Sequence, residues 1–447
     1  MPTLRKRFSN LIHSDHGELF PHEWRRRSGS LLGAVMIGLV ALLFAEAADK
    51  AQGVFDSMVA RWPYSPLVVT PALFVGFAWM TLLVAPAARG SGIPQVIAAS
   101  RDPDGLLSRG LLGMKTALFK LVVTLGAILG GASVGREGPT VQLGAAIMVG
   151  CHRLFGARLT SGVLIAGGAA GVAAAFNTPI AGIAFAIEEL ASAYEQRVAV
   201  LVMGAVMISG LTSQGLAGNY LYFGTLSDPL PVGSALIIAP IAGLAGGALG
   251  GLFSRFLLLI TRRRREAKSG VFARPLVVAL ICGVAVGVLG VVTSGATWGT
   301  GYAPAKALLE GQDGSVWLGP AKFVTTLATS ASGLPGGIFA PSLAVGAGFG
   351  KLLAMVFPSE STGAIVLLGM AGYFTGVVRA PLTGVIILSE TTGSSGSILP
   401  LVLTALIADW SGAQVCKPRL YHALSRDFLP RSEAGDPDIE EKEEERH

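Results

Sequence analysis

Apolar positions come in long runs along this chain. Those at 31–48, 67–87, 197–211, 234–254 and 274–293 carry few charges. Each approaches the ~20 residues a helix needs to cross the hydrocarbon core of a bilayer. Shorter apolar runs, broken by glycine or proline, lie at 140–150, 179–187 and 338–350. The pattern predicts an all-α polytopic membrane protein that mixes full-length spans with short, broken helices.

Composition agrees. The chain is 51% hydrophobic and 14% charged, with a mean hydropathy of +0.61, whereas soluble domains are nearer a quarter charged. Glycine fills 60 of 447 positions. In a membrane bundle, where no hydrophobic effect pulls helices together, glycine lets backbones approach closely, and "AGLAGGALGG" (242–251) reads as such a packing surface. Cys151, Cys282 and Cys416 lie far apart without metal-ligand spacing, and read as small buried side chains.

Charge then sets topology. Arg5, Lys6, Arg7, Arg25, Arg26 and Arg27 precede the first run. That run ends in "AEAA" like a cleavage site, but its length and charged lead fit a retained first helix with a cytoplasmic N-terminus. "RRRREAK" (262–268) marks a second cytoplasmic loop. The net charge of +6 reflects topology and anionic membrane lipid, and gives no reason to invoke nucleic acid. The charged tail "RSEAGDPDIEEKEEERH" (431–447) is expected to be disordered and cytoplasmic, with no regulatory domain after the last span.

The chain repeats itself. At an offset of 202, Gly135 falls on Gly337, Pro139 on Pro341, Gly144 on Gly346, Pro179 on Pro381, Gly182 on Gly384 and Glu188 on Glu390. This divides the sequence into an N-terminal segment (1–30), a first membrane repeat (31–215), a connecting loop (216–232), a second membrane repeat (233–425) and the tail (426–447). The offset alone leaves open whether the halves are inverted or parallel. In transporters such halves commonly enclose a midplane site. The matched elements "GREGPTVQLG" and "GGIFAPSLAVG" are Gly/Pro-opened half-helices whose free N–H groups and dipole ends suit an anion. "RGSGIPQ" (89–95), with Ser91 between glycines, is a third such turn.

Charges at membrane depth are expensive, roughly 2.5–3.5 kcal/mol each on the cheaper scales, and so mark function. Glu137 either caps its half-helix beside Arg136 or occupies the anion site itself; the second reading leads. Glu188 has a repeat mate in Glu390, which reads as structural, whereas Glu189 has none. Lys120, Lys322, Arg379 and Asp409 are expected to snorkel to the interface or form ion pairs. Tyr421 alone would read as an interfacial anchor. The six histidines are scattered, with no nucleophile or metal cluster near these acids, so no enzyme, cofactor or metal site is expected.

"GSGIP" (90–94), "GREGP" (135–139) and "GGIFAP" (336–341), in that order, resemble the signatures of the CLC chloride channels and transporters, and "AAFNTPIAGIAFAIEE" (174–189) and "KPRLYHAL" (417–424) also resemble that family. The likeness covers about 31–425 and points most to the prokaryotic chloride/proton antiporters. It implies an inverted repeat of about eighteen helices and a homodimer with one pore per subunit, in the bacterial inner membrane with both termini cytoplasmic. By the same resemblance, Ser91 and Tyr421 supply hydroxyls to the central anion, and Ile338 and Phe339 supply backbone N–H groups. Glu137 would be the external gating and proton glutamate, and Glu189 the internal proton glutamate. Glu189 favours chloride/proton exchange over the alternative, a passive CLC-type chloride channel. Ser91, where nitrate-selective members carry proline, favours chloride. Leu334 in "SASGLPGG" (330–337) departs from the more usual alanine.

Overall fold

Inside a bilayer every backbone N–H and C=O needs an internal partner, which leaves helices or closed barrels. The computed structural model describes residues 16–190, 196–218, 221–226 and 229–429. The charged tail beyond 429 and the start of the basic N-terminal segment lie outside them. Eighteen α-helices run in order through the described residues, and no strand does, only two isolated β-bridges. In the first half they are α1 (His16–Arg61), α2 (Pro66–Val84), α3 (Ile93–Arg101), α4 (Leu106–Leu111), α5 (Met114–Leu129), α6 (Glu137–Leu154), α7 (Ser161–Phe176), α8 (Pro179–Phe185) and α9 (Gln196–Ala217). In the second they are α10 (Val232–Glu266), α11 (Pro275–Val292), α12 (Tyr302–Leu309), α13 (Leu318–Ser332), α14 (Phe339–Ala354), α15 (Thr362–Val378), α16 (Pro381–Thr392), α17 (Ile398–Val415) and α18 (Leu420–Ser425).

Seven stretches are long and apolar enough to cross a membrane, and five of them coincide with the apolar runs of the sequence. The other two, Leu106–Leu129 and Ile398–Val415, contain Arg109, Lys115 and Lys120, or Asp409. Those charges interrupt the apolar pattern.

The repeat closes on itself at α8 and α16. The Glu188 carboxylate accepts the N–H groups of Leu382 (2.9 Å) and Thr383 (2.6 Å) and the Thr383 hydroxyl (2.7 Å), all in the first turn of α16. The Glu390 carboxylate accepts those of Ile180 (3.3 Å) and Ala181 (2.8 Å), in the first turn of α8. Each acid and each amide it binds stands 202 positions from its mate, so each half caps a helix of the other. A carboxylate there satisfies orphan N–H groups and the positive dipole end together. The preceding helices end alike, on left-handed Asn177 (φ 60°) and Arg379 (φ 64°). Arg379 is held by Asp409 at 2.6 Å and by the Cys416 carbonyl at 3.3 Å, an ion pair of the kind expected.

The glycines of α10 work in two rows. Gly246 and Gly250 face the α15 backbone around Gly372, Tyr373 and Gly376, while Gly243, Gly247 and Gly251 face Thr404, Ala408 and Gly412 of α17. Within each row the spacing is one helical turn, which places small residues on one stripe. A Cβ on Gly250 would sit 2.5 Å from the Tyr373 carbonyl oxygen. Gly250→Ala should therefore lower stability by about 1–3 kcal/mol, read as a lower melting temperature in detergent. Gly53→Ala, with nothing within 4 Å of the added carbon, should hold or gain about 0.4–1 kcal/mol. Glu188→Ala and Glu390→Ala should each cost a similar amount, roughly 1–3 kcal/mol; strongly unequal losses would contradict reciprocal capping.

Candidate functional site

Three Gly/Pro turns are stitched together by backbone bonds. The Gly135 N–H donates to the Gly337 carbonyl (2.7 Å), the Gly337 N–H donates back to Gly135 (2.8 Å), and the Gly336 N–H donates to Gly90 (3.1 Å). The Gly135–Gly337 bridge is antiparallel and joins residues related by the repeat. The chain therefore enters α6 and α14 running in opposite directions, as an inverted repeat requires. Glycine is obligatory at this junction. Gly92 has φ 114°, and a Cβ there would lie 2.6 Å from the Gly138 carbonyl; one on Gly138 would lie 2.8 Å from that of Ser91. Only bare backbone lets α3, α6 and α14 begin this close together, with the first-turn N–H groups of each helix at the junction.

The residues singled out in the sequence gather around that junction. Ser91, Ile338 and Tyr421 line one cavity of about 340 Å³, with Arg89, Arg264 and Phe428 farther along its wall. The Ser91 Oγ accepts only a long bond from the Ile93 N–H (3.4 Å). Tyr421 is fully buried on α18, and its hydroxyl has no hydrogen-bond partner among the described residues. Phe339 forms the apolar wall behind it, with ring centroids 5.1 Å from Phe374, 5.6 Å from Phe185 and 5.9 Å from Tyr421.

Glu137 is wholly buried. Its carboxylate folds back so tightly that a Cβ on Gly135 would clash with Oε2. The backbone N–H groups of Glu137 itself and of Ala340, in the first turn of α14, face it without closing to hydrogen-bonding geometry. It thus sits where the N-termini of α6 and α14 meet. Arg136 turns away from it. Its guanidinium donates to the Ala45 carbonyl and to Asp49, both at 3.1 Å, and lies 5.5 Å from the centre of the Tyr222 ring. This is how the turn is held, and the sequence could not name those partners.

Arg136, Asp49 and Tyr222 line a second cavity, of about 440 Å³, with Gln52, Trp298 and Thr300. The two cavities open on opposite faces. Pro275, the first residue of α11, lines the first, while Gly295, Ala296 and Trp298, just past its C-terminus, line the second. A helix of that length separates its ends by roughly 27 Å.

Glu189 lies on the segment directly after α8. Residues Ala186–Leu190 form a wide π-type turn, a feature that often marks a functional site. Glu189 within it is fully buried, without a hydrogen bond among the described residues. His422 Nε2, on α18, stands 3.9 Å from its Oε1. Tyr421 is within electrostatic reach of both Glu137 and Glu189.

Two expectations need correction. Lys120 and Lys322 neither snorkel nor pair with acids. Both are fully buried. Lys120 Nζ donates to the Gly90 carbonyl (3.0 Å), and Lys322 Nζ to those of Thr297 (2.9 Å) and Gly299 (2.7 Å). A buried ammonium needs several oxygens, and the irregular backbone of these turns supplies them. The two lysines are 202 positions apart, and they expose a motif the sequence reading missed. "GTGYAP" (299–304) is the counterpart of "GSGIP": Thr300 accepts the Tyr302 N–H at 3.3 Å as Ser91 accepts that of Ile93. The match stands at an offset of 209, so a constant 202 passes over it; allowing a seven-residue insertion recovers it.

The family model for the voltage gated chloride channel matches residues 71–413. A curated relative, the H(+)/Cl(−) exchange transporter ClcA of Yersinia pseudotuberculosis serotype IB (strain PB1/+), is 31% identical over 433 residues, or 89% of this chain and 87% of the relative. Among solved structures, a slow cyanobacterial Cl−/H+ antiporter superposes with a TM-score of 0.78 at 23% identity, over 91% of this chain and 99% of that one. A CLC-type fluoride/proton antiporter gives 0.75 at 24% identity, over 92% and 99%. A eukaryotic CLC transporter gives 0.70 at 24%, over 89% and 73%. With nearly the whole membrane part matched in sequence and the same helical inverted repeat in space, this chain belongs to the voltage-gated chloride channel (CLC) family.

Proposed function

We propose that the protein exchanges chloride for protons across the membrane, with Glu137 as a gate that competes with the anion. The observation that carries this reading is the Glu137 carboxylate itself. It is fully buried, unpaired, and set against the N-terminal turns of two helices, a location whose N–H groups and dipoles favour any anion. Ionised, it holds the place a chloride would take. Protonated, it loses its attraction for those dipoles and swings out, and chloride replaces it.

Ser91 and Tyr421 would offer hydroxyls, and Ile338 and Phe339 backbone N–H groups, to chloride arriving through the first cavity. Glu189, buried beside α18, would pass the proton between Glu137 and the opposite face, through water. Both ions use one gate, so they move in opposite directions. Exchange is favoured over a passive channel by the buried Glu189 and by the function of the curated ClcA relative.

We further propose a homodimer in a bacterial inner membrane. The basic end of α10 (Arg262–Arg265) lies at the first cavity, which supports a cytoplasmic position for that face and, with it, for both termini. The protein is a transporter rather than an enzyme, in keeping with its relatives, and its partners are chloride, protons and lipid.

The deciding experiment places purified protein in liposomes under a steep chloride gradient, with no pH gradient and with voltage clamped by an ionophore. Protons driven against their own gradient establish exchange; chloride flux without proton movement makes the protein a channel. Glu137→Gln should keep chloride flux and lose coupling entirely. Glu189→Ala should keep chloride flux while proton flux drops roughly a hundredfold or more; full coupling in that variant would reduce Glu189 to a buried bystander.

A further inference from the structure

One cleft on the first-cavity face takes no part in transport as proposed. It has a volume of about 450 Å³ and is lined by Arg109, Arg153, Arg158 and Asp104, with Ala157 and Leu159. The three arginines come from separate segments: α4, the last turn of α6, and the loop that follows it. All three are exposed, and none forms an ion pair or a side-chain hydrogen bond among the described residues. Arg136, Arg265 and Arg379, by contrast, each pair with an acid. Three unpaired guanidinium groups around one hollow are a mould for an anion with several oxygens.

The setting identifies the anion. Met114, Leu118 and Val122 of α5 are 42%, 51% and 59% exposed and stand one turn apart, an apolar stripe facing outward on a membrane-crossing stretch. Met114 packs over Gly150, one turn before Arg153. Leu106 (85% exposed) and Leu154 (75% exposed) flank the cleft. Ser30 of α1 contacts His152 near the end of α6 (3.4 Å), while Asp49 of the same helix lies at the second cavity. Helix rise puts roughly 28 Å between them, so the cleft is on the basic face, where the stripe meets the membrane surface.

We propose that this cleft binds the headgroup of an anionic glycerophospholipid, with an acyl chain along Met114, Leu118 and Val122. The arginines take the phosphate oxygens, and Asp104 accepts from a headgroup glycerol hydroxyl. Apolar continuity with the bilayer favours a lipid over a free phosphate, and a basic cleft between helices on this face is the expected form of such a site.

The test uses full-length protein in detergent, with lipid retention read by native mass spectrometry and stability by thermal unfolding. Phosphatidylglycerol or cardiolipin should be retained and raise the melting temperature, and phosphatidylcholine should do neither. The combined variant Arg109→Gln, Arg153→Gln, Arg158→Gln should weaken retention on the order of a hundredfold. The charge-matched control Arg263→Gln, Lys268→Gln, Arg274→Gln should not, and unchanged chloride flux in neutral-lipid vesicles would verify that both fold. Equal stabilisation by inorganic phosphate at matched ionic strength would make the ligand soluble and overturn the proposal. So would equal losses in the two variants, which would indicate diffuse attraction to a charged surface.

Discussion

The pair of hydrogen bonds exchanged between Gly135 and Gly337 sets the geometry of everything around it. It is formed by the same residue of each repeat, so it fixes a local two-fold relation between the halves. Because the bridge is antiparallel, it also makes α6 and α14 start at one point and leave it in opposite senses. No side chain could stand between these backbones, as the close approaches at Gly92 and Gly138 demonstrate. Helix N-termini thus meet in the interior of a membrane protein with their donors unspent, and an anion becomes the natural complement.

The buried charges divide by whether they are satisfied. Arg136 is held by a carbonyl and a carboxylate, Lys120 and Lys322 by turn carbonyls, and Glu188 and Glu390 by helix amides. Removing a partner from any of these leaves an uncompensated charge, so they act as struts. Glu137 and Glu189, by contrast, are fully buried and make no hydrogen bond among the described residues. A carboxylate that makes no direct hydrogen bond is free to exchange its place with a competing anion. The physical contrast separates scaffold from candidate gate without appeal to any relative.

Much of this was legible in the sequence, and the reasons differ by feature. Long spans show as apolar runs because lipid imposes hydrophobicity residue by residue. The turns show because only glycine and proline permit them. That Glu188 and Glu390 are structural followed from the offset, since structural partners in a repeat recur together; that each caps a helix of the other half did not. The sequence did not disclose what held Arg136, because Asp49 and Ala45 are 87 and 91 positions away. The lysines misled because an amine near an apolar run looks the same whether it reaches for water or for carbonyls. "GTGYAP" escaped because an insertion shifted its register.

The two-fold scaffold also accounts for where transport chemistry can reside. Features present in both halves build the scaffold around the site: the glycine bridge, the acid caps and the buried lysines. The two carboxylates to which we assign proton work are those the repeat does not copy. Opposite Glu137 stands Phe339, packed among aromatic rings. Opposite Glu189 stands Thr391, its hydroxyl spent on the Ile387 carbonyl at 2.6 Å. A symmetric pair of gates would give protons two equivalent routes and the anion no preferred one. In the proposed mechanism, breaking the symmetry at these two positions leaves a single proton-bearing side around a shared anion site, and that asymmetry is what would let one carboxylate couple chloride movement to proton movement.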